Sequence, residues 1–104
     1  MSVDCNTICD GVAVPYITQE MYPLLRELVE EVVLVSEEDV KRAICRLALR
    51  DKLVVEGAGA LPLAAALAMP REKRGKCVAV ISGGNIDGDK LAGILGEWCA
   101  SEIY

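Results

Sequence analysis

From residue 57 to residue 69 the chain carries no polar side chain: Gly-Ala-Gly-Ala-Leu-Pro-Leu-Ala-Ala-Ala-Leu-Ala-Met. The composition predicts a helix over 58–69, apolar on every face, and a helix apolar all round is buried all round. Pro62 fits it only in the first turn, which moves the start toward residue 60. Cys77-Val78-Ala79-Val80-Ile81 makes the same demand, because a continuous apolar run is the mark of a parallel strand covered on both faces. A chain of 104 residues has few layers to supply that cover. The expectation is an apolar face left bare, and with it a homo-oligomer or a missing partner segment.

The remaining elements follow from spacing. Leu24, Leu25, Leu28, Val29 and Val32 form a stripe at intervals of three and four, predicting a helix over 22–31. The apolar stretch 32–35 reads as a short buried strand. Ser36 with Glu37, Glu38 and Asp39 reads as an N-cap and an acidic first turn, which the helix dipole favours. That helix extends to residue 49 or 52. Val40, Ala43, Ile44, Leu47 and Ala48 lie on one face, with Lys41, Arg42, Arg46 and Arg50 on the other. A last helix over 88–100 starts behind Asp87 as N-cap and carries Leu91, Ile94, Leu95 and Trp98 on one side. Residues 1–21 are irregular, apart from a possible short strand near residue 13.

From the strand at 32–35 onward the order is therefore β-α-α-β-α. We expect a single α/β domain over 1–104 whose core, 22–104, is a small parallel sheet of two or three strands with helices on both faces. Hydrophobic residues make up 53% and aromatics 4%, with no Phe, so the core is aliphatic, as such layers require.

Charge and cysteine usage exclude several functions. A net charge of −5 disfavours nucleic acid, whose phosphates need clustered Lys and Arg. The basic run Arg71, Lys73, Arg74, Lys76 reads as a solvated turn. Five cysteines, an odd count, with no export signal suggest reduced thiols, and no His is present to complete a metal site. No apolar stretch is long enough to span a bilayer. The expectation is a cytoplasmic protein without metal, membrane or nucleic-acid partners.

The candidate site is the turn after the apolar run, Ser82-Gly83-Gly84-Asn85. A buried strand would fix this loop in space, the glycines permit close approaches, and Ser82 supplies a hydroxyl where open parallel sheets collect ligands. Glu56-Gly57-Ala58-Gly59-Ala60 is a second glycine-rich turn, lacking both the P-loop lysine and the dinucleotide spacing.

Four motifs in order resemble one family: Thr7-Ile-Cys-Asp-Gly-Val-Ala13, Arg26-Glu-Leu-Val-Glu-Glu-Val-Val-Leu-Val-Ser-Glu-Glu-Asp39, Lys52-Leu-Val-Val-Glu-Gly-Ala-Gly-Ala60 and Val80-Ile-Ser-Gly-Gly-Asn-Ile-Asp87. Over about residues 6–95 the chain resembles the C-terminal part of the catalytic region of threonine dehydratase (threonine ammonia-lyase), a pyridoxal-phosphate enzyme of the serine racemase-like group. The resemblance implies part of the large domain of tryptophan-synthase-β-like enzymes. It implies that Ser82 meets the pyridine nitrogen of pyridoxal phosphate and that Glu56 and Gly57 line the ring side. Gly83, Gly84 and Asn85 would complete the cofactor-binding loop. The family's Schiff-base lysine sits in an upstream Ser-x-Lys context and its phosphate loop is also upstream. Neither motif occurs here, and Lys41, Lys52, Lys73, Lys76 and Lys90 fall on predicted solvent faces or turns. No catalytic residue is therefore assigned, and no cofactor is expected on the isolated chain. The implied function is a threonine dehydratase-like fragment or remnant, inactive alone. The alternatives are an oligomerising or subunit-docking module on the same fold, or one half of a split ammonia-lyase.

Overall fold

Ser36 starts the element on which the rest is packed. A computed structural model describes residues 6–98, and in it the Ser36 hydroxyl accepts a hydrogen bond from the Asp39 amide at 3.1 Å. Such a cap satisfies one of the amides a helix leaves open at its start. The helix that follows, α2, covers Glu37–Leu49. The preceding helix, α1, covers Met21–Leu28. After α2 come α3 at Gly57–Ala68, the single turn α4 at Arg71–Arg74 and α5 at Gly88–Trp98. A 3-10 turn at Asp10–Val12 precedes them all.

The core lies where α2 meets α3 and α5. Val40, Ala43, Ile44, Cys45 and Leu47 of α2 pack with Ala60 and Ala64 of α3, Ile94 of α5, and Cys9 and Val55 from connecting segments. The face expected for α2 is realised, except that Ala48 is half-buried and Cys45 joins the interior. On the outer side Arg42 pairs with Asp39 at 3.7 Å and lies 5.6 Å from the ring centre of Trp98. The core is aliphatic and small-sided, as the composition requires.

The expected parallel sheet is absent: none of the described residues forms a strand, and helices, not a sheet with helices on both faces, carry the fold. The apolar segments 32–35 and 77–81 have no ladder partner, and side chains that should be sandwiched face outward: Leu34 is 95% exposed and Val78 91%. A helix closes its backbone bonds within itself, whereas a strand exists only through a neighbour, so an apolar run without one stays irregular. One backbone bond joins the segment before α3 to the turn after the second run, from the Glu56 amide to the Gly83 carbonyl at 3.1 Å.

Two helices also depart from expectation. α3 begins at Gly57, three residues before the start that Pro62 suggested. The Ala60 amide bonds to the Glu56 carbonyl at 3.0 Å, so a turn is already closed when Pro62 enters. It is also covered less completely than its composition demands, with Gly57, Gly59, Ala60 and Ala64 buried and Ala68 exposed. α1 ends at Leu28, short of residue 31, and buries nothing. Its stripe of Leu24, Leu25 and Leu28 is exposed, as are all residues from 14 to 34. The radius of gyration, 14.9 Å, accordingly exceeds the ~13 Å of a compact domain of about 100 residues.

Candidate functional site

Three segments distant in sequence converge beside the start of α3. The first is 7–11, leading into the 3-10 turn. It is tied to α2 by Glu37, whose carboxylate accepts from the Thr7 hydroxyl and from the Ile8 amide, the latter at 3.1 Å. The Thr7 oxygen in turn accepts from the Cys9 amide at 3.1 Å. The second segment is Glu56-Gly57 at the head of α3. The Ile8 carbonyl rests on Gly57, where a Cβ would stand 2.7 Å from that oxygen. The third is the turn 82–87. Gly83 adopts φ +29°, a region that side chains other than glycine's rarely tolerate, and the Glu56 carboxylate lies where its Cβ would be.

Together they enclose a cavity of about 390 Å³ lined by Asp10, Glu56, Gly57, Asn85, Asp87 and Lys90, among others. Lys90, in the first turn of α5, reaches across to Asp10, with its Nζ 3.6 Å from Oδ2. The cavity thus holds three carboxylates and one ammonium, and the ammonium already has a partner. The Cys9 thiol, next in sequence to Asp10, is buried, which pushes its pKa up. The hydrogen bond to Thr7 opposes this, and the charges of Glu37 and Asp10 add to it. A second hollow of about 500 Å³, lined by Val14, Pro15, Tyr16, Ile17 and Tyr22, comes from one local stretch and gathers no distant groups.

Of the six residues singled out from sequence, Glu56, Gly57 and Asn85 line the cavity. Gly83 backs Glu56 from outside. Ser82 and Gly84 are exposed. The Ser82 carbonyl abuts Gly59, and Gly84 sits against the Val54 carbonyl. Sequence reasoning does not place Asp10, Asp87 or Lys90 in this cavity. Lys90 reads as solvent-facing, but its three-residue spacing from Asp87 puts both on one side of α5. Asp10 stands in the first family motif, which by itself gives it no role. Among the described residues no cluster could hold a metal ion, and no helix is long and apolar enough to cross a membrane. Two of the cysteines, Cys5 and Cys99, lie outside the described residues.

The comparisons with known proteins agree with one another. The model of the family described as pyridoxal-phosphate dependent enzyme matches residues 1–83. An L-threonine ammonia-lyase of Geobacter sulfurreducens is 52% identical over 82 residues, which are 78% of this chain and 20% of the relative. A catabolic L-threonine dehydratase of Escherichia coli K12 is 41% identical over 94 residues, 88% of this chain and 29% of the relative. The crystal structure of a T.th. threonine deaminase superposes with a TM-score of 0.70 at 36% identity, covering 84% of this chain and 32% of that one. The chain thus spans between a fifth and a third of the length of the proteins it matches. With four-fifths of its residues matched by one family model, this chain belongs to the pyridoxal-phosphate dependent enzymes.

Proposed function

We propose that this chain is the part of a threonine ammonia-lyase that forms one wall of the cofactor cleft, and that it takes part in threonine deamination only when the rest of that fold is present. The observation that carries the reading is the convergence of Glu56, Gly57 and Asn85, drawn from two separate family motifs, on one cavity. The bare apolar segments around Leu34 and Val78 support its second half, since isolated domains rarely leave such surface open.

Pyridoxal phosphate needs an amine to join its aldehyde, a cradle for its phosphate and a partner for its ring nitrogen. The described residues do not fit the whole group. Asp10, Glu56 and Asp87 outnumber Lys90 in the cavity, and Asp10 already holds the Lys90 ammonium, so a phosphate dianion would meet net repulsion there. The Ser82 hydroxyl, exposed on its turn, is a neutral donor suited to the ring nitrogen. The wall this chain supplies is thus on the ring side, with Ser82, Gly83, Gly84, Asn85, Glu56 and Gly57 as its residues. A cytoplasmic location belongs to the same reading.

Purified chain incubated with L-threonine and pyridoxal phosphate should release no 2-oxobutanoate. Co-expression with the portion of the Geobacter sulfurreducens relative that precedes the matched stretch should restore release. Turnover by the chain alone, or none from the assembled pair, would count against the proposal.

The exposed stripe of α1 favours a second reading, an oligomerising module that reuses this fold. It requires a dimer or larger species in light scattering at micromolar concentration. A monomer removes it.

A further inference from the structure

We propose that Glu37 is a positioning residue, whose carboxylate sets where Asp10 and Gly11 stand in the cavity wall by holding Thr7 and Ile8. The inference rests on the reading of that cavity as part of the cofactor cleft. Three acids open α2, and the helix dipole accounts for all three in the same way. Geometry separates them. Asp39 faces Arg42 at 3.7 Å and its amide is capped by Ser36. Glu38 is exposed. Glu37 instead reaches out of its helix to groups 30 and 29 positions earlier, the Thr7 hydroxyl and the Ile8 amide. Since Ser36 already caps α2, the Glu37 carboxylate is left available for that distant contact.

The contact lies at a vulnerable place. Between the cavity wall and α2 the chain makes a long excursion in which nothing from 14 to 34 is buried. That stretch cannot hold residues 7–11 in place through packing. At the return point one carboxylate with two acceptor oxygens adds a directional hold to the packing of Ile8 and Cys9 against the core. The restraint passes along the segment: Thr7 receives the Cys9 amide, the Ile8 carbonyl rests on Gly57, and Asp10 meets Lys90. Charged hydrogen bonds of this kind are short and directional, which suits them to fixing a backbone.

The experiment measures amide exchange in the isolated chain by NMR. Glu37→Ala should raise exchange at Ile8 and Cys9 by about tenfold, the scale of losing a charged acceptor in a local opening. Ile44 and Ala64 should change by less than about threefold, because they open only with the core. In Glu37→Gln the side-chain carbonyl still accepts from Ile8, so protection should return to within about threefold of the parent. Thr7→Val should raise exchange at Cys9, whose acceptor it removes. Glu38→Ala shares the dipole but not the contact and should behave as the parent. Equal behaviour of Glu37→Ala and Glu38→Ala overturns the proposal. So does a uniform rise that includes Ile44 and Ala64, which would mean a general loss of stability. In the co-expressed pair, Glu37→Ala should lower kcat/KM for L-threonine by about tenfold and Glu37→Gln should restore it. Local exchange as stated, with a parent pair that does not deaminate threonine, supports the clamp and overturns only the cofactor-cleft reading.

Discussion

The carbonyl of Ile8 sits directly on Gly57, so that the wall of the cavity and the head of α3 touch backbone to backbone. The facing atoms are backbone on both sides, so no side-chain rotation can relieve a clash there.

Gly57→Ala should therefore be costly. The added methyl would meet the Ile8 oxygen at 2.7 Å, and overpacking against rigid backbone costs on the order of 1–3 kcal/mol. Urea unfolding should show a lower midpoint with an unchanged slope. Gly88→Ala, where a Cβ meets open space, is the control and should cost nothing measurable.

Ile44 and Val78 should respond in opposite ways to truncation. Ile44 is 1% exposed at the centre of the core, and Ile44→Ala should lose about 2–5 kcal/mol, enough to unfold a chain of this size near room temperature. Val78 is 91% exposed, and Val78→Ser should shift stability by no more than about 0.5 kcal/mol. Thermal unfolding of the two variants checks both statements.

Ser36→Ala removes the side-chain cap of α2. The expected loss is about 1 kcal/mol. Circular dichroism during thermal unfolding should show a lower midpoint, and Ser36→Asp should recover most of it.

Cys9 makes stability depend on alkaline pH. Burial raises its pKa above the ordinary 9.0, so between that value and the folded one the unfolded chain has lost a proton that the folded chain still binds. Stability therefore holds below pH 9 and falls as pH climbs through this window. Cys9→Ala should be less stable than the parent at pH 7 and show a flatter decline toward pH 10. At neutral pH the thiol is protonated and enclosed, so it should react with iodoacetamide far more slowly than the exposed Cys77.

The helices are legible because their signals are local. Ser36 and three acids mark the head of α2, and the spacing of Val40, Ala43, Ile44 and Leu47 gives its buried face. The strands mislead for the opposite reason. The apolar runs at 32–35 and 77–81 state that they want cover, but whether they find a ladder depends on chain elsewhere, and none of the described residues provides it. The candidate site is half legible. Glu56, Gly57 and Asn85 stand in recognisable turns, and the cavity gathers them. Asp10 and Lys90 escape because their pairing joins the 3-10 turn to α5 across eighty positions of sequence, and no periodicity reports such a contact.

Helix α1 has eight residues, no cap from the Glu20 side chain and no buried side chain. In water, segments shorter than about 12 residues hold a helix only marginally, since the few bonds formed barely offset the cost of nucleation. Among the described residues nothing supplies the surface against Leu24 and Leu28 that would hold Met21–Leu28 in place. Stripped of that surface it would coil and rewind within about a microsecond, making this stretch a built-in reporter of contact, ordered when the polypeptide is enclosed and averaged when it is alone.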